Sequence, residues 1–468
     1  MTERAEDRIS SLPDELLHTI LVRLRSIRAA ARTGVLSRRW RHVWARLPDF
    51  VLFGGDGSPP ATFLDSVDAA LAAYSAPTVK RLCISLPDDC PCVPAHRVAP
   101  WLRFGSQRVV GAFVLCLPMQ WLGVDGVDAD LELPSFAGAA IIRLILQLQW
   151  RLRLRPAGLF KALTSLEICC GSMEGSELTA LVSTRCPRLR NLSLIGRLFA
   201  VFDVSIRSDS LHTLYFHVEK IRRLEIVAPR LEELNVANAI EFHVSAPNLA
   251  KVAWKGSGYD PRRHQFTDAG CHLRQLEIGE ESILASLMQR FDKVDELELN
   301  ISIPQGIAGY ESFLNETNKL PKCETLNVYL WWTDHGLVPI LLHLLRSCYH
   351  TKKFYVLLLG SRAPLMRNSC PSACPCRLAE SHKSDNIALH SLEEVEIKYF
   401  SGSHEEVEFV EQLSRCTAAV LKKLIIDYTV YPASPLTKEM CEEVRSKCYP
   451  NVKVEFFVIL DGRRVCFD

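Results

Sequence analysis

The chain has 468 residues, with 55 lysines and arginines against 54 aspartates and glutamates, a formal net charge of +1 and 48% hydrophobic residues. This composition is that of a folded chain rather than a disordered one, and a net charge near zero excludes the long-range field of a general nucleic-acid or membrane-surface binder. Such a length corresponds to two to four domains, or to one repeat array with appendages.

The first ten residues mix acids and bases and contain no apolar core, so no secretory signal is expected there. No window reaches about 18 uninterrupted apolar residues, which predicts that no segment spans a membrane. We therefore expect a cytoplasmic and/or nuclear protein. Its 17 cysteines are then expected to stay reduced, most of them as small apolar side chains.

Residues 8–48 are predicted to form a compact module of three short helices. Pro13, followed by Asp14 and Glu15, is typical of a helix start, because acids suit the positive end of a helix. Apolar residues then recur at three- and four-residue spacings and form one stripe: Leu16, Leu17, Ile20, Leu21 and Leu24. Gly34 and Ser37 mark the end of a second helix and the start of a third.

Eight arginines and no acid lie between Arg23 and Arg46. One interpretation is a nucleic-acid patch or a nuclear import signal around residues 38–41. The other is a solvated helix face that meets an acidic partner. We favour the second, and expect no nucleic-acid partner, because the rest of the chain offsets this charge.

Two sequence blocks in this module carry a resemblance. The block Leu12–Leu17 (LPDELL) and the block Val35–Trp44 (VLSRRWRHVW) resemble the F-box of plant F-box proteins. The resemblance implies docking onto the Skp-type adaptor, and through it the cullin, of a cullin–RING ubiquitin ligase. The adaptor contacts that it implies are Leu12, Pro13, Leu16, Ile20, Leu21, Val35 and Leu36. We expect Trp40 and Trp44 to connect the module to the following domain, with the alternative that they are anchors of a protein interface.

A short pattern, apolar-x-x-apolar-x-apolar, recurs from about residue 79 onward. Its central residues are Leu82, Leu166, Leu192, Leu214, Leu224, Leu234, Val252, Leu276, Leu297, Leu326, Val395 and Leu424. Most steps match a leucine-rich repeat of about 20–29 residues. The steps 214 to 224 and 224 to 234 leave no room for a helix, so the array is expected to be irregular. We assign 49–78 to a linker and first helix, and 79–360 to the repeat domain.

Alternation along each copy predicts that the fourth and sixth positions point into the core and that the third and fifth positions form the other face of the sheet. That face is polar and becomes acidic toward the later copies. Its candidate target-binding residues are Tyr215, Arg223, Glu225, Glu233, Asn235, Lys251, Glu277, Glu296 and Glu298. It is either a surface for a basic segment of a protein target or an ordinary solvated sheet face.

Residues 361–386 form a loop rich in cysteine and proline, in which Cys370, Cys374 and Cys376 lie within seven residues. A structural zinc site needs a fourth ligand, for which His382 or His390 is available, but this spacing fits no common zinc finger. The pair Cys90 and Cys92 offers only two ligands and cannot form such a site on its own. We therefore expect a reduced surface loop, with no metal and no cofactor.

Residues 387–468 are assigned to a C-terminal region, and within it residues 387–427 read as strand, turn, helix and strand. They resemble the FBD region at the C-terminus of many plant F-box/leucine-rich-repeat proteins, although the tryptophan usual after the cysteine loop is replaced here by Glu380-Ser381-His382. The glutamates of the predicted helix are interpreted as a solvated face. They are Glu405, Glu406, Glu408 and Glu411.

No GxSxG, GxxxxGK[ST], HExxH or GxGxxG motif occurs, so no catalytic residues are predicted. The predicted fold is α/β: a short three-helix F-box, an irregular leucine-rich-repeat solenoid (an α/β horseshoe) and an FBD-like strand–helix–strand cap. The predicted function is that of a non-catalytic substrate-recognition subunit of an SCF-type ubiquitin ligase. The alternatives are a repeat scaffold that binds protein without ubiquitin transfer and, third, a nuclear nucleic-acid binder.

Overall fold

The structure is a computed structural model of the full chain. It describes residues 12–23, 32–33, 40–54, 60–88, 90, 93–119, 129–154, 158–237, 239–256, 258–279, 285–331, 335–359, 370–378, 381, 387–416, 420–428, 436–460 and 463–467. Within these residues no helix is long and apolar enough to cross a membrane.

The chain divides into two compact units. Unit 1 comprises Met1–Glu232, Val236–Asn248 and Gln265–Thr267, and unit 2 comprises Glu233–Asn235, Leu249–His264 and Asp268–Asp468. The predicted domain boundaries follow sequence motifs and stay predictions.

The described helices of unit 1 are α1 (Asp14–Arg23), α2 (Trp40–Val43), α3 (Pro60–Ala73), α4 (Ala95–Arg108) and α5 (Gly175–Ala180). A 3₁₀ turn at Trp44–Arg46 continues α2. The helices α1 and α2 lie within two of the three predicted N-terminal helices. The second predicted helix falls mostly outside the described residues.

The strands of unit 1 are β1 (Asp49–Phe53), β2 (Val79–Ser85), β3 (Val109–Cys116), β4 (Ala129–Leu133), β5 (Ile141–Ile145), β6 (Trp150–Leu154), β7 (Ser165–Glu174), β8 (Asn191–Phe199), β9 (Asp203–Arg207), β10 (Thr213–Glu219), β11 (Ile221–Val227), β13 (Ala239–Ser245) and most of β15 (His264–Thr267). Strands β1, β2, β3, β5, β7, β8 and β10 pair in that order, all parallel. Strand β1 therefore lies in the segment that the sequence assigned to a linker and helix.

In-register pairing stacks the apolar positions of this sheet into two columns. One column is Phe50, Leu82, Phe113, Ile142, Leu166, Leu192 and Leu214. The second is Leu52, Ile84, Leu115, Leu144, Ile168, Leu194 and Phe216. All are buried, and each buried side chain of this size contributes about 1.5–3 kcal/mol to folding. The predicted inward orientation of the fourth and sixth positions is confirmed.

The ten-residue steps have a simple structural explanation. Strands β9, β11, β13 and β15 form a separate four-stranded sheet, and β11 pairs in parallel with both β9 and β13. Only Lys220 separates β10 from β11, and it turns the chain in the left-handed region with a φ of 62°. A ten-residue step thus carries the chain from one sheet to the other rather than to the next strand of the same sheet.

Unit 2 contains part of β12 (Glu233–Ala237), together with β14 (Lys251–Lys255), β16 (His272–Ile278), β17 (Lys293–Ile301), β18 (Thr325–Leu330), β19 (Lys353–Leu358), β20 (Glu394–Phe400), β21 (Lys423–Tyr428), β22 (Lys453–Leu460) and β23 (Arg463–Phe467). Its described helices are α6 (Ala285–Arg290), α7 (Ile307–Glu316), α8 (Leu337–Ser347), α9 (His404–Arg415) and α10 (Lys438–Lys447). Strands β14 and β16–β22 pair in chain order and in parallel, and β23 closes the row antiparallel.

The predicted C-terminal strand–helix–strand is observed as β20, α9 and β21. Its strands continue the ladder of unit 2, since Val395 of β20 pairs with Phe354 of β19 on one side and Leu424 of β21 on the other. The region therefore extends the repeat sheet rather than forming a cap of another architecture.

The α9 glutamates are not a uniformly solvated face, so that expectation was wrong. Glu406 is buried, and its carboxylate accepts hydrogen bonds from the backbone N–H groups of Ser401 and Ser403, both at 2.9 Å. Glu405 accepts from the backbone N–H of Leu337 at 2.9 Å, which satisfies an otherwise unpaired donor at the start of α8.

Candidate functional site

Helix α1 has an apolar row on its outside and another on its inside. Leu16 and Ile20, one turn apart, are 50% and 41% exposed, whereas Leu17 and Leu21 are buried. Residues four apart lie on the same helix face, so the helix has an outer and an inner apolar stripe. The two residues of the inner stripe are buried, and α1 packs against α2.

The structure places the predicted adaptor contacts unequally. Leu16 and Ile20 form the outer row, Pro13 is exposed and Leu12 is half-buried just before the helix. Leu21 is only 1% exposed, so it supports the outer row from inside and is not itself a surface residue. Val35 and Leu36 lie outside the described residues.

The segment after α2 fixes the helical module to the sheet of unit 1. The ring of Trp44 stacks on Phe50 of β1 at 6.4 Å between centroids, and Phe50 meets Tyr74 edge-on at 4.9 Å. The Tyr74 hydroxyl lies 3.0 Å from the carbonyl oxygens of both Leu47 and Thr78. Trp44 thus connects the module to the following domain, as expected from the sequence.

The candidate target-binding residues of unit 1 do not share one sheet. Tyr215 lies on β10 and stacks on His217 at 4.0 Å between ring centroids. Arg223 and Glu225 lie on β11, in the four-stranded sheet, and Glu225 pairs with Arg207 at 2.7 Å. The prediction that these three side chains share a sheet face is wrong, because it assumed that every copy adds a strand to the same sheet.

The candidates of unit 2 include an acidic patch, which we define as Glu277, Glu296 and Glu298. Glu277 and Glu298 are direct partners in the register of β16 and β17, and Glu296 is on the same face of β17. Lys255 forms an ion pair with Glu277 at 3.0 Å, and the Asn327 side chain donates to Glu296. The other candidates, Glu233 and Lys251, form an ion pair with each other at 3.4 Å, and Asn235 is half-buried.

Within the acidic patch, Glu298 has a strongly raised pKa. Burial raises its pKa to about 7, and repulsion from Glu277 and Glu296 adds to the rise, while Lys255 and a hydrogen bond to Gln275 oppose it. A cationic side chain placed here would relieve this repulsion. The patch therefore has the charge expected of a surface that binds a basic segment.

A second site brings together residues from two separate segments of unit 2. His335 lies just before α8, Cys370 and Cys374 precede the turn at Pro375–Arg377, and Cys376 lies within that turn. Their ligand atoms all lie within 4.8 Å of one another. We call these four residues the thiol–imidazole cluster. The prediction of a surface loop was wrong, since all four side chains are at most 4% exposed.

Sequence reasoning missed His335, because it searched for a fourth ligand downstream of the cysteines. His390 is exposed and is not a member of the cluster, and His382 lies outside the described residues. The only local signal was a histidine immediately before an apolar helix. Nothing in the spacing connects that histidine to cysteines some 35 positions later.

Burial also governs the chemistry of these thiols. It raises the pKa of Cys370 to about 12, and hydrogen bonding to Cys374 adds to the rise. Burial raises the pKa of Cys376 as well, while the backbone N–H of Gly336, which hydrogen-bonds its sulfur, opposes the rise. The raised pKa values favour the neutral thiols of Cys370 and Cys376 unless a nearby positive charge stabilises the thiolates.

Residues 98–254 match the leucine-rich repeats of the family described as "FBD-associated F-box protein At5g56370, LRR repeats". Among related Arabidopsis thaliana proteins, F-box protein At5g03100 is 35% identical over 22% of this chain and 30% of its own length. F-box/FBD/LRR-repeat protein At2g04230 is 36% identical over 24% of this chain and 25% of its own length. Putative F-box/FBD/LRR-repeat protein At5g56810 is 28% identical over 53% of this chain and 58% of its own length.

The resemblance to plant F-box/leucine-rich-repeat proteins with an FBD region is confirmed. The repeat match lies mainly on the strands of unit 1 and ends at Trp254 of β14. The matches span from a quarter to just under three fifths of these relatives' own lengths. The chain is thus similar to F-box/LRR proteins in its sequence and in its repeated parallel strands.

We predict that Glu298→Gln stabilises unit 2 at alkaline pH. A carboxyl group whose pKa is raised on folding favours the folded state when protonated, and this advantage is lost as pH rises through about 7. Glutamine does not ionise, so the substitution prevents this loss of stability at high pH. The free energy of unfolding should therefore exceed that of the wild type by about 1 kcal/mol at about pH 8.5, with the difference shrinking toward about pH 5.5.

Urea unfolding at the two pH values measures this difference. Glu311→Gln, at an exposed glutamate of α7, is the matched control and should change stability little at either pH. A Glu298→Gln variant that is no more stable than the wild type at the higher pH contradicts the prediction.

Proposed function

We propose that this chain is a non-catalytic substrate-recognition subunit of an SCF-type cullin–RING ubiquitin ligase, acting in the cytoplasm or nucleus. The names of its relatives support an F-box role. In this proposal the N-terminal module binds a Skp-type adaptor, and through it the cullin, while the repeats bind a protein target. Its contribution to ubiquitin transfer is then proximity and orientation rather than side-chain chemistry.

The observation that carries the proposal is the outer apolar row of α1. Two large aliphatic side chains that are half-exposed and one turn apart gain little from the chain's own packing. Their inner neighbours are buried, so the position of the row is set by the fold. A rigid helix that presents such a row is suited to insertion into an apolar groove of a partner protein.

The target side of the proposal rests on the acidic patch. Three carboxylates on neighbouring positions of β16 and β17 favour a lysine- or arginine-rich segment of a target, and Lys255 offsets only part of their charge. The F-box relatives carry names that specify no target, so the patch defines the chemistry of the partner and not its identity.

We predict that the double variant Leu16→Ala/Ile20→Ala loses most of its affinity for a Skp-type adaptor. Truncating an apolar anchor at the centre of an interface costs about 1–2 kcal/mol or more, so the two losses together should weaken binding about 30-fold or more. Titration by surface plasmon resonance with purified adaptor measures the dissociation constant. Because both side chains are exposed, the variant should keep the unfolding temperature of the wild type.

The matched control is Ile141→Ala/Ile240→Ala, which truncates two exposed aliphatic side chains elsewhere in unit 1, 45% and 55% exposed. It should bind the adaptor as the wild type does. If both double variants bind with wild-type affinity, helix α1 is not the docking surface and the F-box assignment fails. The repeat-scaffold alternative predicts no adaptor complex for any of the proteins.

A further prediction concerns the acidic patch. Glu296→Gln/Glu298→Gln should weaken the binding of a fluorescent arginine-rich decapeptide about fivefold at low ionic strength, since each ion pair near the protein surface contributes roughly 0.2–1 kcal/mol. Fluorescence anisotropy measures this, with Glu311→Gln as the control. Binding by the wild type should also fall between about 0.01 M and 0.15 M salt as the screening length shortens. Equal affinities in the wild type and the double variant would exclude the patch as the target face.

A further inference from the structure

The distances within the thiol–imidazole cluster have the values expected of ligands around one ion. Cys370 Sγ lies 3.3 Å and Cys374 Sγ 3.6 Å from Nδ1 of His335, and Cys376 Sγ lies 3.7 Å from Cys370 Sγ. Around a tetrahedral zinc ion, bonds of about 2.3 Å to sulfur and about 2.0–2.1 Å to nitrogen separate the ligand atoms by about 3.8 Å (sulfur to sulfur) and about 3.5 Å (sulfur to nitrogen). All three interatomic distances in the cluster therefore agree with those expected around one tetrahedral zinc ion.

The surroundings of the cluster orient its ligands. Nε2 of His335 lies 3.1 Å from the carbonyl oxygen of Pro304, so it carries the proton that this bond requires and leaves the Nδ1 lone pair directed at the sulfurs. The His335 ring also packs on the buried Tyr310 ring at 5.0 Å between centroids. The Gly336 N–H donates to the Cys376 sulfur, a bond that stabilises a thiolate.

We propose that the thiol–imidazole cluster binds one Zn²⁺ ion as a closed structural site. Three thiolates and one imidazole complete a tetrahedral Cys₃His shell, the ligand set of structural rather than catalytic zinc. Soft sulfur ligands select zinc over calcium or magnesium, and four ligand atoms within 4.8 Å enclose a single ion. Binding releases the thiol protons as the metal forms its bonds to sulfur.

The position of the site explains what the metal does for the fold. The connection between β19 (Lys353–Leu358) and β20 (Glu394–Phe400) is much longer than the roughly 15 residues at which loops without secondary structure become uncommon, and in its described residues it contains only the turn at Pro375–Arg377. A Zn²⁺ ion bonded to Cys370, Cys374 and Cys376 would anchor this connection to His335, directly before α8. That helix start is itself fixed by Glu405. The ion would therefore link two segments of unit 2 that are distant in sequence, and the hydrogen bond from Leu337 to Glu405 connects one of them to α9.

The test uses the full chain purified without chelators and without added zinc. Inductively coupled plasma mass spectrometry should give about one zinc per chain, and Cys374→Ser should lower this at least about tenfold. Cys441→Ser, which replaces a buried cysteine of unit 2 outside the cluster, is the matched control and should keep its zinc. A chelator should lower the unfolding temperature of the wild type and of the control, but not of Cys374→Ser.

Zinc X-ray absorption of the wild-type protein needs no variant to fold. It should show three sulfur neighbours at about 2.3 Å and one nitrogen at about 2.0 Å. A zinc-free protein with an unfolding temperature insensitive to chelator, or bound zinc surrounded only by nitrogen and oxygen, overturns the proposal. Neither readout depends on adaptor binding, so this inference and the proposed function stand or fall separately.

Discussion

Parallel pairing in register is the constraint on which each unit depends. A parallel ladder keeps equivalent positions of successive strands side by side, so one aliphatic residue per strand is enough to build a continuous buried column. Leu166 and Leu192 in unit 1, and Leu297 and Leu326 in unit 2, are neighbours of this kind. A shift of one residue would expose every member of a strand's core set, so the register also fixes which polar side chains reach the surface.

The acidic patch follows directly from that constraint. Because Leu276 and Leu297 are paired and buried, Glu277 and Glu298 are necessarily neighbours on the opposite face. The like charges are therefore held together by the core and not by any attraction between them. Burial raises the pKa of Glu298, and the repulsion from its two neighbours in this arrangement raises it further. Natural sequences tolerate such local conflicts mainly at functional surfaces.

The strands of the repeat fold were predictable from sequence wherever apolar residues recurred with the short local pattern. The same pattern also lies in β3 and β5, through Phe113 and Ile142, and these two strands were not predicted. The division into two sheets was not predictable, because a ten-residue step limits the connection but does not specify where the next strand pairs. The thiol–imidazole cluster was not predictable for a related reason. His335 and Cys370 are 35 residues apart in sequence, and only the folded chain brings them together. On α1, spacing predicted the apolar stripe, but only packing separates exposed Leu16 from buried Leu21.

The central claim is that α1 is the surface on which this chain docks to a Skp-type adaptor. Hydrogen–deuterium exchange of the intact chain, measured alone and with saturating purified adaptor, tests it most directly. The account predicts slower exchange in peptides covering residues 12–23 on complex formation and unchanged exchange in β17, which carries the acidic patch. If the chain is saturated with adaptor and exchange at residues 12–23 does not change, or if slowed exchange is confined to unit 2, the claim is contradicted.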